Sequence, residues 1–142
     1  METYETRYGT VYHSPVCKDD WSNIVTKTVK RKGPGGWSAT YKLQEPAIAS
    51  LRAVAKELGG KFRQAPVRVT GTFRTCAYQH ELWVSDPSRY ANPNSTLHTQ
   101  GLAIDVDTTI LTDKIRLTLL AHGWHQSRPT DEPWHFSFRL TA

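Results

Sequence analysis

Two short blocks place the tightest restriction on how this chain can fold: His98-Thr99-Gln100-Gly101-Leu102-Ala103-Ile104-Asp105 and Glu132-Pro133-Trp134-His135. His98, Asp105 and His135 are the ligand types a catalytic zinc takes, three protein groups with a fourth position left to water. The first block runs out of a polar, Asn/Pro-rich loop into a small apolar strand, which predicts His98 at the loop end and Asp105 inside the strand. The second block reads as the start of another strand. Glu132 and His135 are three apart, and Pro133 keeps the step between them out of a regular helix, so the two side chains are expected to diverge. One is then suited to hold a metal and the other to take a proton from water that the metal activates. Spacing alone leaves a second reading open, in which these are ordinary surface or core histidines.

The stretch Thr96 to Asp105 followed by Glu132 to His135 resembles the zinc-dependent D-alanyl-D-alanine carboxypeptidase family, which also includes vancomycin-resistance D,D-peptidases and phage L-alanyl-D-glutamate endolysins. The family pattern is Ser-x-His-x-x-Gly-x-Ala-x-Asp and then Glu-x-x-His, often with Trp before the last His. Every metal-linked position is present, and the resemblance spans roughly residues 67 to 139. Thr96 stands where Ser is usual, which keeps the hydroxyl. The resemblance implies that His98, Asp105 and His135 bind Zn2+ and that Glu132 is the general base. Arg74, in Gly71-Thr72-Phe73-Arg74-Thr75, would bind the scissile carbonyl and its developing charge, a task suited to a permanently charged guanidinium with several fixed donors. Taken by itself, Arg74 reads rather as a salt bridge at a strand end. The implied fold is α+β, a small antiparallel sheet with flanking helices of the hedgehog/D,D-peptidase-like kind. The implied activity is hydrolysis of peptidoglycan stem peptides, foremost as an L-alanyl-D-glutamate endolysin. The alternatives are a D-alanyl-D-alanine carboxypeptidase and a non-catalytic zinc-containing module that binds cell wall. A non-haem iron site is disfavoured, because its first two ligands normally form His-x-Asp.

With 142 residues, 38% of them apolar and 22% charged, the chain can bury one core, and a single domain acting as a monomer is expected. No apolar run is long enough to span a membrane, and Met1-Glu2-Thr3-Tyr4-Glu5 lacks the basic and apolar regions of a signal peptide. Synthesis in the cytoplasm is therefore expected, with action on the wall after release by another agent, as holins provide for endolysins. A net charge of +5 favours polyanions, anionic wall polymers among them. Nucleic acid is not an expected partner, because no zinc-finger spacing, aromatic RNA-binding block or helix-turn-helix signal is present. Lys27, Lys30, Arg31 and Lys32 form a basic run before Gly33-Pro34-Gly35-Gly36, read as a solvated hairpin tip or an anionic-polymer contact.

Along the chain, Thr10-Val11-Tyr12 and Ile24-Val25-Thr26 favour strands. Pro46 opens a helix whose apolar face is Ile48, Leu51, Ala55 and Leu58, ended by Gly59-Gly60. Residues 67 to 73 alternate as a strand, 75 to 84 read as a helix, and 85 to 97 as a loop that walls the cleft. A strand over 102 to 106, a helix over 113 to 122 with Thr112 as N-cap, and strands at 124 to 126 and 134 to 138 complete the pattern. Asp107 would share a strand face with Asp105, and is read as steering a ligating imidazole in preference to a solvated strand end. Cys17 and Cys76 are expected to be free thiols. His122 is read as a structural helix-end histidine, His125 has no assigned task, and Tyr78, Gln79 and Trp83 are candidate substrate contacts.

Overall fold

A computed structural model describes residues 1–19, 22–30, 34–64 and 66–140 of the chain, so Arg31 and Lys32 of the basic run lie outside the described residues. Two antiparallel hairpins come first: β1 (Glu2–Thr6) with β2 (Gly9–His13), then β3 (Ile24–Lys30) with β4 (Ser38–Gln44). Helix α1 (Glu45–Glu57) follows, then β5 (Val69–Gly71), α2 (Cys76–Ser85), a 3-10 turn at Leu97–Gln100 and β6 (Ala103–Val106). The chain ends with α3 (Asp113–Ala121), β7 (Trp124–His125) and β8 (His135–Phe138). The last four strands form one antiparallel sheet in the order β5-β6-β8-β7. This is the α+β arrangement of small antiparallel sheets and flanking helices that the sequence implies. Among the described residues no helix is long and apolar enough to cross a membrane.

Periodicity explains which faces are buried. Along β4, Ala39, Tyr41 and Leu43 point inward while Ser38, Thr40 and Lys42 are exposed, the alternation of a strand with one wet face. Helix α1 starts with Pro46 in its first turn and buries Ile48, Leu51, Val54 and Ala55, the larger of these worth about 1.5–3 kcal/mol each on removal from water. The core continues through Ile104, Phe136, Phe138 and Trp124. Trp124 packs edge-on to Phe138, with ring centroids 5.1 Å apart, and its indole N–H donates to Ser50 Oγ at 2.9 Å. Ser50 Oγ in turn donates to the His122 carbonyl, which fixes the end of α3 on α1.

Gln44, fully buried at the junction of β4 and α1, ties three segments together. Its Oε1 accepts from Tyr12 N at 2.8 Å, and its Nε2 donates to the carbonyls of Tyr12 at 2.6 Å and Gln100 at 2.8 Å. Its own backbone N–H donates to Gly101 O at 3.0 Å. The first hairpin, the second hairpin and the turn that carries His98 are thereby joined through one amide.

The cysteines are not free. Cys17 and Cys76 form a disulfide, with Cα atoms 5.9 Å apart across 59 residues of sequence. Distance along the chain says nothing about distance in space, and here the segment after β2 is laid over the start of α2. Ser14 N donates to Gln100 Oε1, Cys17 N to Asn94 Oδ1 and Cys76 N to Asp19 Oδ1, at 2.7 to 2.9 Å. Closing a loop of about 60 residues restricts the unfolded chain by about 4 kcal/mol in the entropic account. A Cys17→Ser/Cys76→Ser variant is therefore expected to lose about 2–4 kcal/mol in denaturant unfolding. An unchanged midpoint would mean that the hydrogen bonds alone hold this segment.

Candidate metal centre

Strands β6 and β8 pair so that Asp105 lies opposite His135. The turn before β6 swings His98 to the same spot. One ligand atom from each of the three lies within 4.8 Å of the others. Asp105 Oδ1 is 3.3 Å from His98 Nε2 and 3.2 Å from His135 Nδ1. Each ring has its remote nitrogen occupied: His98 Nδ1 is 2.7 Å from the Thr72 carbonyl, and His135 Nε2 is 3.1 Å from Ser137 Oγ. A carbonyl only accepts, so His98 Nδ1 carries a proton. His98 Nε2 is thereby the nitrogen presented to Asp105 Oδ1, and the one a metal ion at this place would take. Two imidazoles and one carboxylate, each ring steered by an outer partner, fit a zinc ion.

Burial raises the Asp105 carboxyl. Hydrogen bonds to His135 and His98, with the charges of His98 and Arg74, outweigh that effect and hold it well below the usual carboxylate range. It is thus ionised and ready for a cation. Arg74 NH2 donates to Asp105 Oδ2 at 3.1 Å, and NH1 to Gln79 Oε1 at 3.2 Å. Gln79 is buried and anchored by its Nε2 to Ala91 O at 2.9 Å. Arg74 itself follows β5 just before the Thr75 cap of α2, whose hydroxyl accepts from Tyr78 N. The expected strand over 67 to 73 is shorter, because residues 72 and 73 leave the sheet. The Thr72 carbonyl turns to His98 and its hydroxyl accepts from Lys42 N at 3.3 Å.

The His98 turn has its own local logic. The Thr96 hydroxyl accepts from His98 N at 3.2 Å, the task a serine would also perform. Gly101 closes the turn at φ +68°, and a Cβ there would stand 2.2 Å from Ile24 Cδ1 and 3.3 Å from Gln44 N. Gly101→Ala is expected to destabilise the protein by about 1–3 kcal/mol, through left-handed strain and the crowding of Ile24 on β3 and of the β4 backbone. A thermal melt checks this, and a melt equal to wild type would contradict it.

The site lies in a cavity of about 500 Å³ whose walls include Arg74, His98, Asp105, His125, Arg128, Glu132 and His135. Glu132 stands on the loop between β7 and β8, where Arg128 NH1 reaches its Oε2 at 3.2 Å. Arg128 also bonds Asp131 at 3.2 Å. Residues 85–97 contribute Arg89, Tyr90, Ser95 and Thr96 to the walls. Asp107 does not reach the site, contrary to expectation. It falls one residue past β6, where strand alternation no longer applies, and pairs with Arg68 at 3.5 Å and with Thr109. The Thr109 hydroxyl and backbone N–H lower its pKa. His122 is structural: Nδ1 meets Tyr8 OH at 2.5 Å and Nε2 meets Glu57 at 3.4 Å. Sequence reasoning missed Thr72, Arg128 and Ser137. The last two had signals, a four-residue step from Arg128 to Glu132 and a two-residue strand step from His135 to Ser137.

Six chains of solved structures match this one, among them the LdcB LD-carboxypeptidase, in a structure described as revealing the molecular basis of peptidoglycan recognition. The TM-score is 0.53 at 16% identity, over 82% of this chain and 68% of that one. The fold is LD-carboxypeptidase-like. At this identity the likeness speaks for the fold alone. No model of a known protein family and no curated protein matches the sequence.

Proposed function

We propose that this chain is a zinc-dependent peptidase that cleaves peptidoglycan stem peptides as a single catalytic domain. The observation that carries the reading is the convergence of His98, Asp105 and His135 in a cavity that also holds Glu132 and Arg74. Zinc held by the three ligands supplies a Lewis acid that lowers the pKa of water from about 15.7 to roughly 7. The Glu132 carboxylate takes the proton of the attacking water and delivers it to the leaving amine as the C–N bond breaks. Arg74 donates N–H groups to the scissile carbonyl oxygen as charge develops there, a contribution of about 2.7–4 kcal/mol for donors of this kind. Arg128 holds Glu132 in the cavity between turnovers.

The preferred form is an L-alanyl-D-glutamate endopeptidase of the endolysin type. Supporting it, Arg74 lines both the site cavity and a second groove, which offers room for peptide beyond the reaction centre. The fold of LdcB favours a carboxypeptidase as the second reading. The disulfide suits work outside the reducing cytoplasm, in keeping with synthesis inside and action on the wall after release. Purified peptidoglycan incubated with zinc-loaded protein, with released ends identified by mass spectrometry, tests this. New L-Ala carboxyl and D-Glu amino ends would support the endopeptidase and free D-Ala the carboxypeptidase. Binding without release of any peptide would reject an enzyme in favour of a wall-binding module.

A further inference from the structure

Arg74 also lines an open groove of about 600 Å³ whose walls include Ser38, Thr40 and Lys42 of β4, Thr70 and the exposed Tyr78. Among the described residues no carboxylate lines it. Lys42 N donates across the gap to Thr72 Oγ1 at 3.3 Å, and Gln44 N donates to Gly101 O at 3.0 Å. Both N–H groups therefore point away from β3. In an antiparallel strand the direction of the main-chain groups alternates residue by residue, so those of Thr40 and Ser38 point the same way, into the groove. The outward edge of β4 thus runs from main-chain donors and acceptors at Ser38 and Thr40 that bond no backbone partner among the described residues, past Lys42, to the turn that carries His98. A polar strand edge that leads to a reaction centre is suited to capture an extended peptide by strand addition.

We propose that the β4 edge binds the part of the stem peptide remote from the scissile bond, in extended form, with Lys42 attracting its carboxylates. The assignment deepens the peptidase reading and rests on it. Main-chain hydrogen bonds at Ser38 and Thr40 set the peptide's register, and Arg74, shared by groove and metal cavity, receives the segment that enters the reaction centre. The Tyr78 ring closes the groove on the α2 side.

The decisive variant is Thr40→Pro. It deletes one outward N–H and leaves the β3 ladder its bonds, the position at which an edge strand tolerates proline. Thr40→Val keeps that N–H and serves as the conservative control. With zinc-loaded enzyme, kcat/KM is measured on an intact synthetic stem pentapeptide and on the shortest fragment of it that is still cut. Thr40→Pro should lower the ratio of the two values about tenfold, mainly through KM, as loss of one or two hydrogen bonds would, while Thr40→Val keeps the ratio near wild type. A ratio unchanged by Thr40→Pro, with cleavage intact, would overturn the groove assignment and leave the peptidase reading in place. If no stem peptide is cut at all, the peptidase reading fails and the groove assignment falls with it. A readout independent of the proline is amide NMR of Glu132→Ala with the pentapeptide: the Ser38 and Thr40 signals should move on titration, and their standing still would equally overturn the proposal.

Discussion

Glu132→Ala is expected to keep a full complement of zinc and to hydrolyse stem peptide at least about 100-fold more slowly than wild type, the usual scale of a general-base contribution. The reason is a division of labour between Glu132 and the three ligands. Glu132 lines the cavity but stands on the β7–β8 loop, held by Arg128, whereas the ligands come from β6, β8 and the turn before β6. Its removal deletes a proton acceptor and leaves the ligand set whole. Metal analysis beside initial rates checks both halves. A rate within a few-fold of wild type would remove Glu132 from the mechanism, and lost zinc would make it a ligand instead.

Asp105→Asn is expected to behave in the opposite way, losing metal and activity together. Asparagine keeps the size but brings no charge, and the carboxylate faces two ring nitrogens and Arg74 at once. Loss of a group that merely orients a ligand typically costs about 10–100-fold in metal affinity, so loss of the charged ligand itself should exceed about 100-fold. Competition for zinc against a chelator, read alongside hydrolysis, measures it. Retention of wild-type affinity would show that the metal sits elsewhere. The variant also leaves Arg74 facing a neutral amide, so its rate at saturating zinc is expected to remain below wild type.

How much of this was legible in the sequence follows from whether each feature is local or long-range. The helices and their caps were, because Thr112, Pro46 and the apolar stripe of α1 act within a turn or two of chain. So was the strand that carries Asp105. The register that sets Asp105 against His135 was not, although the two blocks together imply their approach. The Cys17–Cys76 bridge escaped because its closeness is created by the packing of the segment after β2 on α2, with no trace in either local sequence. Asp107 was misplaced for a physical reason: two-residue alternation was extended one step past the end of β6. Thr72 could not be found by residue type, since it serves His98 through its carbonyl, a group every residue possesses.

The resemblance that points to the site begins near residue 67, yet the buried amide of Gln44 makes the first hairpin a structural neighbour of His98. The site's foundations therefore reach back to Tyr12, well before its signature motif. A boundary drawn around the motif would remove Tyr41, Ile48 and Leu51 from the core and strip the support beneath the turn that carries His98. The working unit is defined by what the sheet leans on, and that includes both hairpins.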